Sequence, residues 1–204
     1  MEIVKIKRIS KIISKAKKYD ISVAVNHNFF ASGILVHNCS IYRDHMHARS
    51  IDSKDHISRH WIKNFVSSFQ HEIPAGWRIT AENLYAKHSI WYNGLPSYLF
   101  VFGIFNEKNV YLSWDEVKEY SQVLHLENVP VLYRGIWDDD KVKACFTGKS
   151  VFGDSEQEGY VVRLAKEFPF SKFAKCTAKF VRKSHVQTSD FWMTQPVVPN
   201  RFRA

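Results

Sequence analysis

Residues 3–8 (IVKIKR) alternate apolar and basic positions, the period-two pattern of a strand with one face on a core. The stretches "YDISVAV" (19–25) and "GILVHN" (33–38) read as further strands, with "NHNFFAS" turning between them. Strands this short and few cannot bury a core of their own. Residues 1–38 are therefore expected to form a small all-β piece that leans on other structure.

From residue 39 onward the pattern becomes mixed. Ile57, Trp61, Phe65 and Phe69 recur every four residues between Asp52 and Pro74, one stripe of an amphipathic helix. Ser113 followed by Glu116 has capping-box spacing and precedes Val117, Tyr120 and Leu124, which predicts a second helix. Strands are predicted at 77–86, 98–105, 129–136, 158–165 and 177–184, and Asp138 is placed to cap a short helix before Gly148. Strands and helices interleave without βαβ regularity, so the expected class is α+β. No internal repeat or low-complexity segment is present.

Composition narrows the picture. With 204 residues, 45% hydrophobic and 24% charged, the chain has the make-up of a folded globular protein. No apolar run approaches the ~18 residues that cross a bilayer, and no signal peptide opens the chain, so a cytoplasmic location without membrane association is expected. Three cysteines without a CxxC pair argue against a disulfide framework and a structural zinc site, despite ten histidines. The net charge is +9, and within residues 1–38 seven Lys/Arg face only Glu2 and Asp20. That balance suits a polyanion or, for the short segment, an acidic protein partner.

The sharpest change in character falls inside "ILVHNCSIYRDHMHARSID" (34–52), at the Asn38–Cys39 bond. An Asn side-chain amide can attack its own carbonyl, closing a succinimide and cutting the chain after itself. His37 can supply the proton that the departing group needs, and Cys39 is a nucleophile whenever its thiolate is favoured. Alone, His-Asn-Cys reads most simply as a turn. In context, "YDISVAVNHNFFASGILVHN" followed by Cys closely resembles the C-terminal end of inteins, and residues 1–38 have the length of a split intein's C-terminal fragment. The resemblance implies a Hint-type fold, Asn38 as the cyclising residue, His37 as its assistant and Cys39 as first residue of the host and acceptor nucleophile. It also implies assisting roles for His27 and Asp20, each of which has a plausible structural role as well. Asn26 stands where some split inteins carry Asp. Splicing of this kind needs no cofactor but does need an N-terminal fragment on a separate chain, towards which the basic residues 5–18 would steer.

Residues 39–204 carry a different chemistry. "AENLYAKHSIWY" puts Glu82 beside a basic, aromatic run, "EGYVVR" puts Glu158 and Arg163 at the two ends of a strand, and "AKFVRKSH" places Lys179, Arg182 and Lys183 close together. Carboxylates for a divalent cation and cations for phosphates are what nucleotidyl transfer requires. Taken singly, a Glu-Gly strand start is common and a Lys/Arg cluster is usually a solvated face. Together with "YRDHMHARSID" and the closing "HVQTSDFWMTQPVVPN", they resemble the ATP-dependent RNA ligase family of phage and bacterial type, whose nucleotidyltransferase domain is built of antiparallel sheets with flanking helices. The resemblance implies that Arg49 contacts nucleotide or donor phosphate, Glu82 the ribose and Lys179 the ATP phosphates, with Arg182 or Lys183 as its companion. It further implies that Glu158 helps place Mg2+ and that Phe102 stacks on adenine, with Phe100 and Phe105 as alternatives. "TGKS" (147–150) is no phosphate loop, because position 143 is Lys where that loop needs Gly.

The family's nucleophile lysine lies in a K-x-D-G motif, and this sequence contains none. The expectation is thus a trans-splicing precursor, with residues 1–38 as intein fragment and 39–204 as the C-terminal part of an incomplete ligase domain. A partner chain would bring the rest, in a bacterial or phage-infected cell, and the spliced ligase would seal RNA, as nicked duplex or tRNA fragments, through a lysyl-adenylate. The alternative is a stand-alone nucleic-acid-binding module or DNA ligase-like fragment with no splicing role.

Overall fold

A computed structural model describes residues 29–31, 34–36, 39–47, 59–87, 90–182 and 196–203. The predicted strands at 3–8 and 19–25, and Ile57 of the helical stripe, lie outside them. Strands β1 (Phe29–Ala31) and β2 (Ile34–Val36) pair antiparallel in a two-stranded sheet of their own.

The main sheet begins at Cys39. Its path runs β10 (Phe168–Pro169), β7 (Val110–Tyr111), β6 (Leu99–Phe105), β5 (Arg78–Asn83), β3 (Cys39–Ile41), β4 (Met46–His47), and β8 (Glu127–Asn128) joins β6 in parallel. The central strand β6 (LFVFGIF) is a nearly continuous apolar run because both of its faces are covered. On one face, Ile41, Ile79, Ala81, Leu99, Val101 and Ile104 pack against α1 (His60–Ser67) and α2 (Trp114–Val123). Elsewhere Phe100 joins Leu95 and Tyr98 in a second cluster, and Phe105 joins Tyr111 and Phe168 in a third.

The α+β expectation is met. The Ser113–Glu116 capping box is present in both directions, the Ser113 hydroxyl accepting from the Glu116 N–H and the Glu116 carboxylate accepting from the Ser113 N–H. Asp138 likewise caps α3 (Asp139–Ala144), accepting from the Lys141 N–H. Among the described residues helix α1 ends at Ser67, two residues before Phe69 of the predicted stripe, and its buried seam is Ile62, Val66 and, just beyond its end, Phe69. The compact aliphatic side chains fit against the sheet. Trp61 and Phe65, stacked on each other at 4.9 Å, close the rim, with Trp61 edge-on to Tyr98.

The strand predicted at 129–136 does not form. Pro130 offers no N–H to a ladder, so pairing ends with β8 and the chain leaves the sheet, with Val131, Ile136 and Trp137 exposed. Its place is held by ion pairing, Arg134 gripping Asp115 of α2 through two bonds of 2.6 and 2.7 Å.

Strand β9 (Gly159–Arg163) pairs antiparallel with β11 (Thr177–Val181) in a small separate sheet, and it is half exposed rather than buried. Between these strands the chain visits the main sheet as β10 and returns through α4 (Phe173–Cys176). Arg163 pins the two sheets together: its guanidinium lies 4.1 Å from the Tyr111 ring centroid, with Trp114 and Phe168 alongside. One of its N–H groups donates to the Leu112 carbonyl at 2.6 Å. This residue is therefore a cation set among aromatic rings that ties the two sheets together.

Residues 196–203 bond to residues 84–87 and 91–98 as a strap. Asn200, 2% exposed, is its anchor. Its side chain accepts from the Tyr92 N–H at 2.8 Å and donates to the Leu84 carbonyl at 2.8 Å, while its carbonyl accepts from the Tyr98 hydroxyl. Asn200→Ala leaves a buried N–H and a buried carbonyl unpaired, and a loss of about 2–4 kcal/mol is expected. Urea unfolding that gives the same midpoint for variant and wild type would contradict the strap's role.

Candidate functional site

Glu82 lies near the end of β5. Ile79 and Ala81 of that strand face the helices, so strand alternation turns Thr80 and Glu82 to the opposite face. Glu158 immediately precedes β9, and its carbonyl accepts from the Arg182 N–H at 3.0 Å, which extends the β9–β11 ladder by one step. Lys179 sits in the middle of β11, opposite Val161.

These groups act on one another electrostatically. Burial pushes the Lys179 amine down to about 8, and the negative charges of Glu158 and Glu82 offset only part of that. Burial pushes the Glu158 carboxyl above the ordinary carboxylate range, while the Lys179 and Arg182 charges pull it back. The half-buried Tyr92 hydroxyl is pushed well up by burial and then by Glu158 and Glu82. Cys39, 7% exposed at the start of β3, has its thiol pushed up to about 12 by burial and the Glu82 charge, against the pull of Arg59. Main sheet, 84–98 loop and small sheet thus contribute to a single electrostatic cluster.

The Lys179 Nζ is buried and has no hydrogen-bond partner among the described residues. An unmet buried ammonium is costly, and an anion is the group that would satisfy it. Beside it, Arg182 pairs with Glu156 at 2.5 Å. The donor set fits a nucleotide's phosphates and a hard cation held between one carboxylate and phosphate oxygens, the usual manner for Mg2+. Among the described residues there is no group of three His, Cys, Asp or Glu side chains able to hold a metal by itself.

The three phenylalanines of β6 separate clearly. Phe100 is 1% exposed and packs 4.9 Å from the Phe152 ring, and Phe105 is 3% exposed with the Arg78 guanidinium 4.0 Å over its ring. Both are core residues. Phe102 keeps part of its ring accessible, and the register shows why: Thr80 pairs with Gly103 and Ala81 with Val101, which leaves Phe102 as the extra residue of a β-bulge. Gly103 follows because a Cβ there would overlap the Tyr111 hydroxyl, which donates to the Phe102 carbonyl at 2.8 Å.

Of the residues singled out in the sequence, Glu82, Glu158, Lys179 and Arg182 come together, with Cys39 buried next to Glu82's strand. Asp20, His27, His37, Asn38, Arg49 and Lys183 lie outside the described residues. Sequence reasoning missed Tyr92. It stands within the quoted aromatic run, but no spacing rule distinguishes it from its neighbours; only the Asn200 clamp places it.

The Lys179 amine should titrate near pH 8, against roughly 10.4 in an unfolded chain. Folded chain releases that proton first, so between these values stability rises with pH. Glu158→Gln removes a negative charge and lowers the midpoint further. Side-chain NMR titration of Lys179 showing an ordinary lysine midpoint in both proteins would refute the buried cluster.

The RNA ligase family model matches residues 36–181 of the chain, which takes in every described member of the cluster except Arg182. No curated protein and no solved structure matched. With well over half of its length accounted for in this way, the chain belongs to the RNA ligase family.

Proposed function

We propose that residues 39–204 are the C-terminal part of an ATP-dependent RNA ligase and that residues 1–38 are a C-terminal split-intein fragment that joins it, in trans, to the rest. The observation that carries the ligase half is the buried, unpartnered Lys179 amine set between the charges of Glu82 and Glu158. Support for the splicing half comes from the His37-Asn38-Cys39 junction, the intein-like residues before it and the absence of K-x-D-G from the sequence.

In this reading Lys179, with Arg182 or Lys183, holds the ATP phosphates, Glu82 accepts a hydrogen bond from the ribose, and Phe102 lies against the adenine. Arg49 contacts nucleotide or donor phosphate. Glu158 offers its carboxylate to Mg2+, which when bound would neutralise phosphate charge and polarise phosphoryl oxygens. An arriving polyanion raises the proton affinity of Lys179, so above pH 8 nucleotide binding takes up a proton and weakens as pH rises.

In this reading splicing follows an order of events. Within β3 the Cys39 thiol is buried and protonated, paired across to Ala81, and a thiol in that state is a poor nucleophile. Cys39 therefore accepts the incoming chain before β3 docks onto β5, and afterwards it is a packed strand residue.

Mass spectrometry of cells expressing both halves should find the chain joined at Cys39, and Asn38→Ala should abolish release of residues 1–38; normal release from that variant refutes the splicing reading. The purified chain alone should not be labelled covalently by radioactive ATP, whereas the spliced product should be. In that product Glu158→Ala should reduce Mg2+-dependent sealing by about a hundredfold or more, and unchanged sealing would remove Glu158 from the site.

A further inference from the structure

Among the described residues the hairpin of β3 and β4 forms one edge of the main sheet. It closes through Arg43 and Asp44, with the Tyr42 N–H donating to the His45 carbonyl at 2.8 Å. Tyr42 and His45 flank the turn, one step beyond the Ile41–Met46 pair, and their rings stack at 4.4 Å and 9°. His47 continues the arrangement, 5.7 Å from Tyr42 and 6.0 Å from His45. The Asp44 carboxylate can only accept, so His45 Nδ1 donates to it, at 2.7 Å, and that bond fixes the imidazole plane.

Register decides which way this stack faces. Ile41 and Met46 turn to the helix side. Ser40, His47 and Thr80 lie in one row on the other side, and Tyr42 and Glu82 each stand two residues along from that row. The stack thus shares a face with Glu82. Four residues of β3 separate their levels, about 13 Å at the rise of a strand. His45's side chain is 55% exposed and the Tyr42 and His47 rings are half-buried, while beside them Arg43 is exposed and the Asp44 carboxylate is engaged by His45.

We infer that the Tyr42–His45–His47 stack is a platform on which an unpaired base of the RNA stacks, holding a strand end on the Glu82 face of the sheet. Proteins recognise unpaired RNA by stacking splayed bases on aromatic and histidine rings beside a cation for the backbone. This chain supplies both at one sheet edge, and the overall charge of +9 complements a polyanion. The inference rests on the RNA ligase reading for the class of its partner.

The test is fluorescence anisotropy of the full chain with a labelled single-stranded RNA 12-mer and with the same sequence as a blunt duplex. Tyr42→Ala is expected to weaken single-strand binding by about five- to a hundredfold, Tyr42→Trp to preserve it, and the salt dependence to stay unchanged because phosphate contacts remain. His45→Ala, at an exposed position, should show a parallel loss and keeps the test decisive if Tyr42→Ala fails to fold. Wild-type affinity in both alanine variants, or equal weakening for single strand and duplex, overturns the platform alone. A wild-type chain that binds neither RNA sinks the RNA reading with it.

Discussion

The arrangement depends on one caged cation. Arg163 ends β9 yet reaches into the main sheet, where Tyr111, Trp114 and Phe168 surround its guanidinium and the Leu112 carbonyl accepts from it. A two-stranded sheet has little stability alone. Cation–π contact in a desolvated setting contributes on the order of 2 kcal/mol, and the bond to Leu112 fixes direction as well. The backbone bond from Trp114 to Ala165 and the passage of β10 through the main sheet act in the same sense. Together they bring β11, and with it Lys179, against the face that carries Glu82.

Joining two sheets in this way creates the unusual environment of the cluster. The Lys179 Nζ is buried, and the negative charges of Glu158 and Glu82 offset part of what burial costs its proton. The strap at 196–203 serves a related end: through Asn200 it ties down the loop that brings Tyr92 beside the same carboxylates. The site is thus assembled from segments far apart in the chain, each rigid for a separate reason.

Much of the architecture was legible from local rules. The apolar run at 98–105 announced the strand that forms as β6, Ser113 and Glu116 announced a helix start, and Asp138 another. Where local rules failed, the causes are specific. Pro130 outweighed the strand-like composition of 129–136. Periodicity in α1 located the apolar side but not the residue at its centre, since Ile62 and Val66 fit against the sheet better than rings do. Strands β4, β7, β8 and β10 are two residues each, too short to leave a pattern.

By itself the sequence determined the residue types available for the chemistry: two carboxylates, a lysine with basic neighbours, a phenylalanine-rich strand and a His-Asn-Cys junction without a K-x-D-G motif. It determined the α+β class too, because apolar periodicity is a local property. Only the tertiary structure decided that Arg163 ties the two sheets together, that Phe102 is half-buried while Phe100 and Phe105 are core, and that Cys39 is buried. Those outcomes turn on a bulge, a cross-strand register and the burial of charge between two sheets. All three arise from residues distant in the chain, so no local pattern encodes them.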